Sequence, residues 1–129
     1  MAKIAYEKSK AFAIRIVRLY QYLTTQRREF VISKQILRSG TSIGSNLAES
    51  VFAISRNDFQ LKIYIALKEA SETAYWLELL YETGYLTDTQ YQSLNKDCDV
   101  LIRILAATTR TLSKPKEGDN LRSNRNSSL

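Results

Sequence analysis

The stretch Arg38-Ser-Gly-Thr-Ser-Ile-Gly-Ser-Asn-Leu-Ala-Glu49 decides the fold of this chain. Ser, Gly and Thr are weak helix formers, yet polar and apolar residues recur around the stretch every three or four positions, which is the period of a helix. The polar positions, called the polar ridge below, are Gln35, Arg38, Ser42, Asn46 and Glu49. The small or apolar positions are Ile36, Gly40, Ile43 and Leu47. Because small side chains let another helix approach closely, the pattern predicts a helix packed inside a bundle.

A first helix is predicted before this stretch. Residues 5–24 contain an apolar seam with helical spacing, and the polar residues 25–29 interrupt it. The second helix, which contains the polar ridge, is predicted to begin at Ser33 as its N-cap and to continue to about Ala53.

Two more helices follow, and capping residues mark their starts. Ser55 is a predicted N-cap, and Ile54 and Phe59 have the spacing of a hydrophobic staple. Gly84 is the expected C-terminal stop of this third helix. A capping box at residues 87–90 then begins a fourth helix.

These patterns define one bundle domain and a tail. No strand pattern competes with the four helices, and the connections between them are short. We therefore predict an all-α fold, an up-down-up-down antiparallel four-helix bundle, over residues 1–112. Residues 113–129 are rich in Ser, Asn and charge, and are expected to form a disordered basic polar tail.

The composition excludes several classes of function. The chain contains no histidine and only one cysteine, Cys98. The lack of histidine removes the commonest general base and metal ligand, and no phosphate-binding or metal-binding loop motif is present. We therefore predict a protein that is not an enzyme and uses no metal and no cofactor. A lone cysteine and the absence of a long apolar run predict a cytoplasmic protein that does not enter a membrane.

Positive charge is concentrated in the first part of the chain. Residues 1–50 contain 9 Lys and Arg against 3 Asp and Glu, which equals the net charge of +6 of the whole chain. A basic side favours an anionic partner such as RNA or DNA, although a merely solvated basic surface is the alternative. The predicted nucleic-acid-binding residues are Lys8, Arg15, Arg18, Tyr22, Arg27, Arg28 and Lys34. The tyrosine is included because an aromatic ring can stack on a base.

The third helix is apolar on two sides. Beyond the seam that faces its own bundle, a different side contains Leu61, Ile65, Trp76 and Leu79. A second apolar patch is usually covered by another subunit, and Trp is favoured at such contacts. We therefore predict a homo-oligomer with these four residues at the contact. The alternative is that Trp76 only covers the end of the bundle.

Several segments in register form a recognisable set. They are the stretch 38–49, the preceding Gln35-Ile-Leu-Arg38, Lys68-Glu-Ala-Ser-Glu-Thr-Ala-Tyr-Trp-Leu77 and Gly84-Tyr-Leu-Thr87. Through them the chain resembles the bacterial 23S rRNA intervening-sequence protein family over residues 5–112. It departs from the common pattern at Gly44 and Ser50, where many members have Pro and Gly or Ala. The resemblance implies a ring of four-helix bundles, a homopentamer, without established enzymatic activity, and distant relatives engage nucleic acid and a reverse transcriptase.

The leading hypothesis is a non-enzymatic, oligomeric protein that binds nucleic acid, structured RNA being favoured. The rival hypothesis is an oligomeric scaffold that binds a protein partner and has no nucleic-acid role. A hydrolase using Glu69, Glu72 and Glu78 is the weakest hypothesis, because these carboxylates have the pattern of ordinary helix-surface charges.

The polar ridge has two interpretations. In the first, Arg38 and Glu49 each pair with another helix or subunit, while Ser42 and Asn46 form hydrogen bonds across the same seam. In the second, Arg38 and Asn46 contact a phosphate or a base edge. The first interpretation is preferred, because the small residues beside the ridge permit close contact between helices.

Overall fold

Four helices make up the described part of the chain, and no strand accompanies them. The computed structural model describes the backbone of residues 2–114 and the side chains of residues 3–114. The helices are α1 (Ala2–Thr25), α2 (Ile32–Ser50), α3 (Arg56–Glu82) and α4 (Asp88–Ser113). The prediction of an all-α fold with four helices is confirmed within these residues. Most of the predicted tail, residues 115–129, lies outside the described residues.

Each helix packs against its neighbours in the chain. α1 contacts α2, α2 contacts α3, α3 contacts α4, and a smaller contact between α4 and α1 closes the cycle. Within residues 2–114, no Cα atom of α1 comes within 8 Å of one in α3, and the same holds for α2 and α4. The α1–α4 edge of the molecule therefore lies opposite the α2–α3 edge.

The small residues of the 38–49 stretch lie where helices approach most closely. A Cβ atom on Gly40 would lie 2.8 Å from two side-chain carbons of Ile16 on α1. A Cβ atom on Gly44 would lie 3.1 Å from Ser9 Oγ, nearer the start of α1. On the other side, Thr73 Oγ1 of α3 donates a 2.9 Å hydrogen bond to Ser39 Oγ, and both side chains are buried. The stretch therefore joins α2 tightly to both neighbours.

The apolar seams of the helices meet in one core. The largest fully buried apolar side chains are Phe12, Ile16, Leu23, Ile36, Ile43, Ile63, Leu77, Leu80, Leu101 and Leu105. Every helix contributes to this list, so the core fixes the position of all four and thereby the surfaces between them.

Two of the predicted helix starts are confirmed. Ser55 Oγ accepts a 3.0 Å hydrogen bond from the backbone N–H of Asp58. Thr87 and Gln90 form both hydrogen bonds of a capping box. The predicted staple is wrong, however, because Ile54 is 93 % exposed and does not pack on Phe59.

The prediction of Ser33 as the cap of α2 is also wrong. The carboxylate of Glu29 accepts hydrogen bonds from the backbone N–H groups of Val31, Ile32 and Ser33. The Ser33 hydroxyl points back and donates a 2.9 Å hydrogen bond to the Glu29 carbonyl. A carboxylate two to four residues before these donors satisfies the free N–H groups of the first turn and matches the positive end of the helix dipole.

Candidate nucleic-acid interface

An open groove between α1 and α4 contains three of the residues predicted to bind nucleic acid. Its volume is about 270 Å³, and it is lined by Arg15, Arg18, Leu19, Tyr22, Leu86, Gln90 and Leu94. The three leucines are buried and form an apolar floor. Tyr22 is half-buried against the core, and the two arginines and the glutamine supply polar groups. This feature is called the α1–α4 groove below.

Local sequence explains how the groove forms. Arg15, Arg18 and Tyr22 follow one another at intervals of three and four residues, so they lie on one side of α1. α1 and α4 make the smallest contact of any neighbouring pair, which leaves space between them. Leu86 reaches the floor because the chain reverses at Gly84, whose φ of +86° is a conformation that glycine adopts without strain.

Arg15 connects α1 to α4 across the groove. Its Nη1 donates a 2.7 Å hydrogen bond to Asp97 Oδ2 and one of 3.2 Å to the Ser93 carbonyl. Its Nη2 donates a 2.9 Å hydrogen bond to Ser93 Oγ. The positive charge of Arg15 is thus partly neutralised, and its guanidinium is held in a fixed position at the side of the groove.

Arg27 is also engaged within the chain. Its two terminal nitrogens donate 3.0 Å hydrogen bonds to the carbonyls of Tyr85 and Gly84. Its Cζ atom lies 5.2 Å from the centre of the Tyr85 ring, a cation–π distance. Arg27 therefore ties the end of α1 to the connection between α3 and α4, beside the groove residue Leu86.

Lys8 and Arg18 are the cations with the greatest freedom to meet a phosphate. Both are exposed, and neither forms an ion pair with any residue from 3 to 114. Arg18 lines the α1–α4 groove, and Lys8 lies further along the same edge beside Phe12 and Val100. The α1–α4 edge therefore combines two unpaired cations with two anchored ones.

The remaining two predicted cations lie elsewhere. Arg28 is in the connection between α1 and α2, with a φ of +54° and its Cζ atom 5.9 Å from the Phe30 ring. Lys34 is exposed in the first turn of α2 and does not line the groove. The structure thus brings Lys8, Arg15, Arg18, Tyr22 and Arg27 to one edge, whereas Arg28 and Lys34 do not line the grooves of that edge.

The polar ridge lies on the opposite edge, between α2 and α3. Arg38 forms ion pairs with Glu69, at 3.2 Å, and with Glu72. Glu49 pairs with Lys62 at 3.2 Å. Both ends of the ridge therefore form ion pairs with α3. Glu69 and Glu72 share a cation rather than standing as a free pair of carboxylates.

The middle of the ridge differs from the prediction. Ser42 Oγ donates a 2.6 Å hydrogen bond to the Arg38 carbonyl, and Asn46 Nδ2 donates one of 2.8 Å to the Ser42 carbonyl. Within the described chain, both side chains thus bond to their own helix instead of reaching across the seam. Short polar side chains often prefer the carbonyl one turn earlier because it is always within reach. Gln35 is exposed at the start of the ridge.

The four predicted oligomer-contact residues lie on α3, and one of them, Leu61, lines a groove between α3 and α4. Leu61 is 54 % exposed, while Ile65 and Leu79 are half-buried. Trp76 packs against the core, and its Nε1 donates a 2.9 Å hydrogen bond to the same Glu72 oxygen that binds Arg38. Trp76 and the polar ridge therefore share Glu72, and together they are called the α2–α3 face below.

Sequence reasoning missed one exposed apolar segment. Val51, Phe52 and Ile54, in the connection between α2 and α3, are 75 %, 83 % and 93 % exposed. The available signal is the run Val51-Phe-Ala-Ile54 directly before an N-cap, although the helical pattern alone places this run at the end of the second helix and in a staple.

Two other properties concern the described residues alone. No helix in residues 2–114 has the length and apolar character needed to cross a bilayer. Across the same part of the chain, no three Cys, Asp or Glu side chains gather in a way that could bind a metal ion.

Comparison with known proteins gives a family and similar solved structures. The model of the family described as 23S rRNA-intervening sequence protein matches residues 2–107. A crystal structure of a protein of unknown function from the S23 ribosomal protein family, from Bacteroides thetaiotaomicron VPI-5482, is similar with a TM-score of 0.83 and 51 % identity. The similarity covers 84 % of this chain and 97 % of that one. No protein with a curated description matches.

Proposed function

The chain belongs to the 23S rRNA-intervening sequence protein family, and we propose that it is a non-enzymatic, oligomeric protein that binds nucleic acid through its α1–α4 edge. Structured RNA is the preferred ligand. The observation that supports this proposal most strongly is the α1–α4 groove, where an aromatic side chain and an apolar floor lie beside the unpaired cation Arg18. The thiol of Cys98 is free, which supports a reducing, cytoplasmic setting.

The assembly is part of the proposal. Contacts between α1 and α2 run in opposite order, since Ser9 lies near Gly44 while Ile16 lies near Gly40. Those between α2 and α3 do the same, since Arg38 meets Glu72 while Glu49 meets Lys62, and both observations support an up-down-up-down antiparallel topology. The α2–α3 face supports a ring, a homopentamer, because a neighbouring subunit would cover Trp76 together with the incompletely buried Leu61, Ile65 and Leu79 of α3. A ring built through this face leaves the opposite α1–α4 edge accessible to nucleic acid.

A salt series tests the nucleic-acid part. Filter binding of RNA and DNA should give an apparent affinity whose log-log dependence on salt has a slope of about −0.7 to −0.9 per neutralised phosphate. Binding that weakens steeply between about 50 and 200 mM salt supports the proposal. If neither RNA nor DNA binds at about 50 mM salt, the protein has no nucleic-acid role.

A scaffold that binds a protein partner is the second candidate function. The specific observation in its favour is the exposed segment formed by Val51, Phe52 and Ile54, because large apolar side chains in a connection commonly mark a protein contact. Replacing Phe52 and Ile54 with Ser should leave RNA binding unchanged if the first function is correct. If the wild type binds no nucleic acid, and if replacing Phe52 and Ile54 abolishes its biological role, the scaffold function is correct instead.

A further inference from the structure

We infer that the α1–α4 groove accepts one unpaired base of a nucleic-acid strand, stacked on Tyr22, with Arg18 at an adjacent phosphate. This inference rests on the proposed nucleic-acid-binding function and adds the form of ligand that the site selects. The ligand is a strand with accessible base faces, such as a loop or a single-stranded segment, rather than a continuous duplex.

The lining of the groove fits a base better than it fits a phosphate alone. Leu19, Leu86 and Leu94 form a floor that is 4–7 % exposed, and an apolar floor does not favour a bare phosphate. A base presents a flat, weakly polar face, which apolar and aromatic side chains cover well. Tyr22 supplies the aromatic group on the wall of the same groove.

The polar groups are placed at the side of this apolar surface. Gln90 Oε1 accepts a 2.9 Å hydrogen bond from the Thr87 backbone, so its amide orientation is fixed and its NH2 group remains a donor. Arg15 is anchored to Asp97 and Ser93, whereas Arg18 forms no ion pair within residues 3–114. Arg18 is thus the groove cation best able to move onto a phosphate, and Gln90 can donate to a base edge.

The size of the groove favours a single base. Its volume of about 270 Å³ lies just below the usual range of about 300–1,000 Å³ for ligand sites. In a duplex the base faces are stacked on each other and cannot enter such a groove without unpairing, which costs free energy. An already unpaired base avoids that cost.

A two-by-two comparison tests the inference. Wild type and Tyr22→Leu are each titrated, at about 50 mM salt, with a labelled single-stranded oligonucleotide and with an abasic strand of equal length and charge. Wild type should bind the base-containing strand more tightly than the abasic strand, by roughly 5- to 150-fold, which is the range for one stacked base. Tyr22→Leu should abolish this preference and leave the affinity for the abasic strand unchanged, because leucine preserves the packing on the core.

Two further variants locate the effect. Tyr22→Phe should keep the preference, since the ring and not the hydroxyl stacks on the base. Tyr64→Leu serves as the matched control, because Tyr64 is 52 % exposed and lines a different groove, between α3 and α4. Two results would overturn the inference while leaving nucleic-acid binding itself intact. One is that Tyr64→Leu removes the preference for the base-containing strand. The other is that the wild type binds the base-containing and abasic strands equally. Absence of binding by every strand would overturn the proposed function and the inference together.

Discussion

At the scale of single residues, Glu29 determines where α2 begins. Its side chain is nearly buried, at 6 % exposed, and no Lys or Arg in residues 3–114 pairs with it. Its charge is instead stabilised by the backbone N–H groups of Val31, Ile32 and Ser33, which would otherwise lack acceptors. A buried carboxylate can be stable without a cation when several backbone donors and a helix dipole face it.

Replacing Glu29 with Ala is therefore expected to destabilise the fold. The change removes the acceptor of three partly buried N–H groups, so we expect a loss of about 2 kcal/mol in the free energy of unfolding, at the upper end for a helix cap. Urea unfolding at a fixed protein concentration, followed by circular dichroism, measures this loss. Glu82→Ala, at an exposed carboxylate in α3, is the control and should change stability by no more than about 0.5 kcal/mol. Equal effects of the two variants would contradict the role of Glu29.

Cys98 should be chemically inert in the folded protein. Its thiol is fully buried, and burial raises its pKa to about 12, with a smaller contribution from Asp99. Because this folded-state pKa lies above the ordinary value of about 8.5, the buried thiol stabilises the fold at pH below about 8.5. That stabilisation is lost as the pH rises toward 12. At pH 8, labelling by a disulfide reagent should be very slow in buffer and complete in urea. Rapid, stoichiometric labelling of the native protein would show that the thiol is accessible.

At the scale of elements, the α1–α2 contact depends on the absence of a side chain at Gly40. Gly40→Ala should raise helix propensity by about 1 kcal/mol. The new methyl group, however, would overlap two carbons of the fully buried Ile16, and overpacking of this kind costs about 1–3 kcal/mol. We therefore expect a net loss of stability of about 1 kcal/mol, measured by urea unfolding.

A variant of Ile16 separates the gain in helix propensity from the cost of overpacking. Ile16→Ala is itself destabilising, but it removes the two carbons at 2.8 Å and leaves only Ile16 Cβ, at 3.3 Å from the new methyl group. In the Ile16→Ala protein, Gly40→Ala should become neutral or stabilising, because the gain in helix propensity then opposes only this milder contact. If Gly40→Ala stabilises the protein already in the presence of Ile16, the helices are less closely packed than the structure indicates.

Local signals and long-range contacts differ in how well the sequence predicts them. Ser55, Thr87 and Gln90 were predictable because a cap involves residues three positions apart in the chain. The partners of Arg15 were not predictable, since Asp97 is 82 residues away and spacing along α1 does not reveal what α4 places opposite. For the same reason the sequence places Arg27 among the exposed cations, although its side chain bonds to carbonyls 57 and 58 residues later.

At the scale of the whole molecule, the two predicted surfaces lie on different sides of the bundle. Lys8, Arg18 and Tyr22 belong to the α1–α4 edge, whereas Trp76 bonds to Glu72 on the α2–α3 face and Leu61 lines a groove between α3 and α4. The sequence predicted the residues of both surfaces through helical spacing. It did not predict that the surfaces face apart, because that depends on the order in which the helices pack around the core.

The proposed ring makes a prediction about mass. Five chains of 14.8 kDa correspond to about 74 kDa, which light scattering should report for the wild type. Trp76→Glu should lower the mass to that of one chain, because a carboxylate would lie beside Glu72 in a contact that excludes water. Leu61→Glu, at a position 54 % exposed within the monomer, should act in the same way without disturbing the core.

A matched variant on another face controls this experiment. Ile14 is 49 % exposed on the outer side of α1, so Ile14→Glu makes the same chemical change away from the α2–α3 face. It should leave the mass unchanged. If Ile14→Glu breaks the ring and Leu61→Glu does not, the contact between subunits lies on α1. A wild type of 14.8 kDa at micromolar concentration would contradict the ring itself.

The measurement that tests the central claim most directly is RNA affinity, across a salt series, in two charge-matched double variants. Lys8→Gln with Arg18→Gln removes two unpaired cations from the α1–α4 edge, and Lys68→Gln with Arg110→Gln removes two exposed cations elsewhere. The first variant should weaken binding and reduce the salt slope by roughly 1.4 to 1.8, the value for two lost phosphate contacts. The second should keep the wild-type slope. Equal effects of both variants, or an unchanged slope in the first, would contradict the assignment of nucleic-acid binding to the α1–α4 edge.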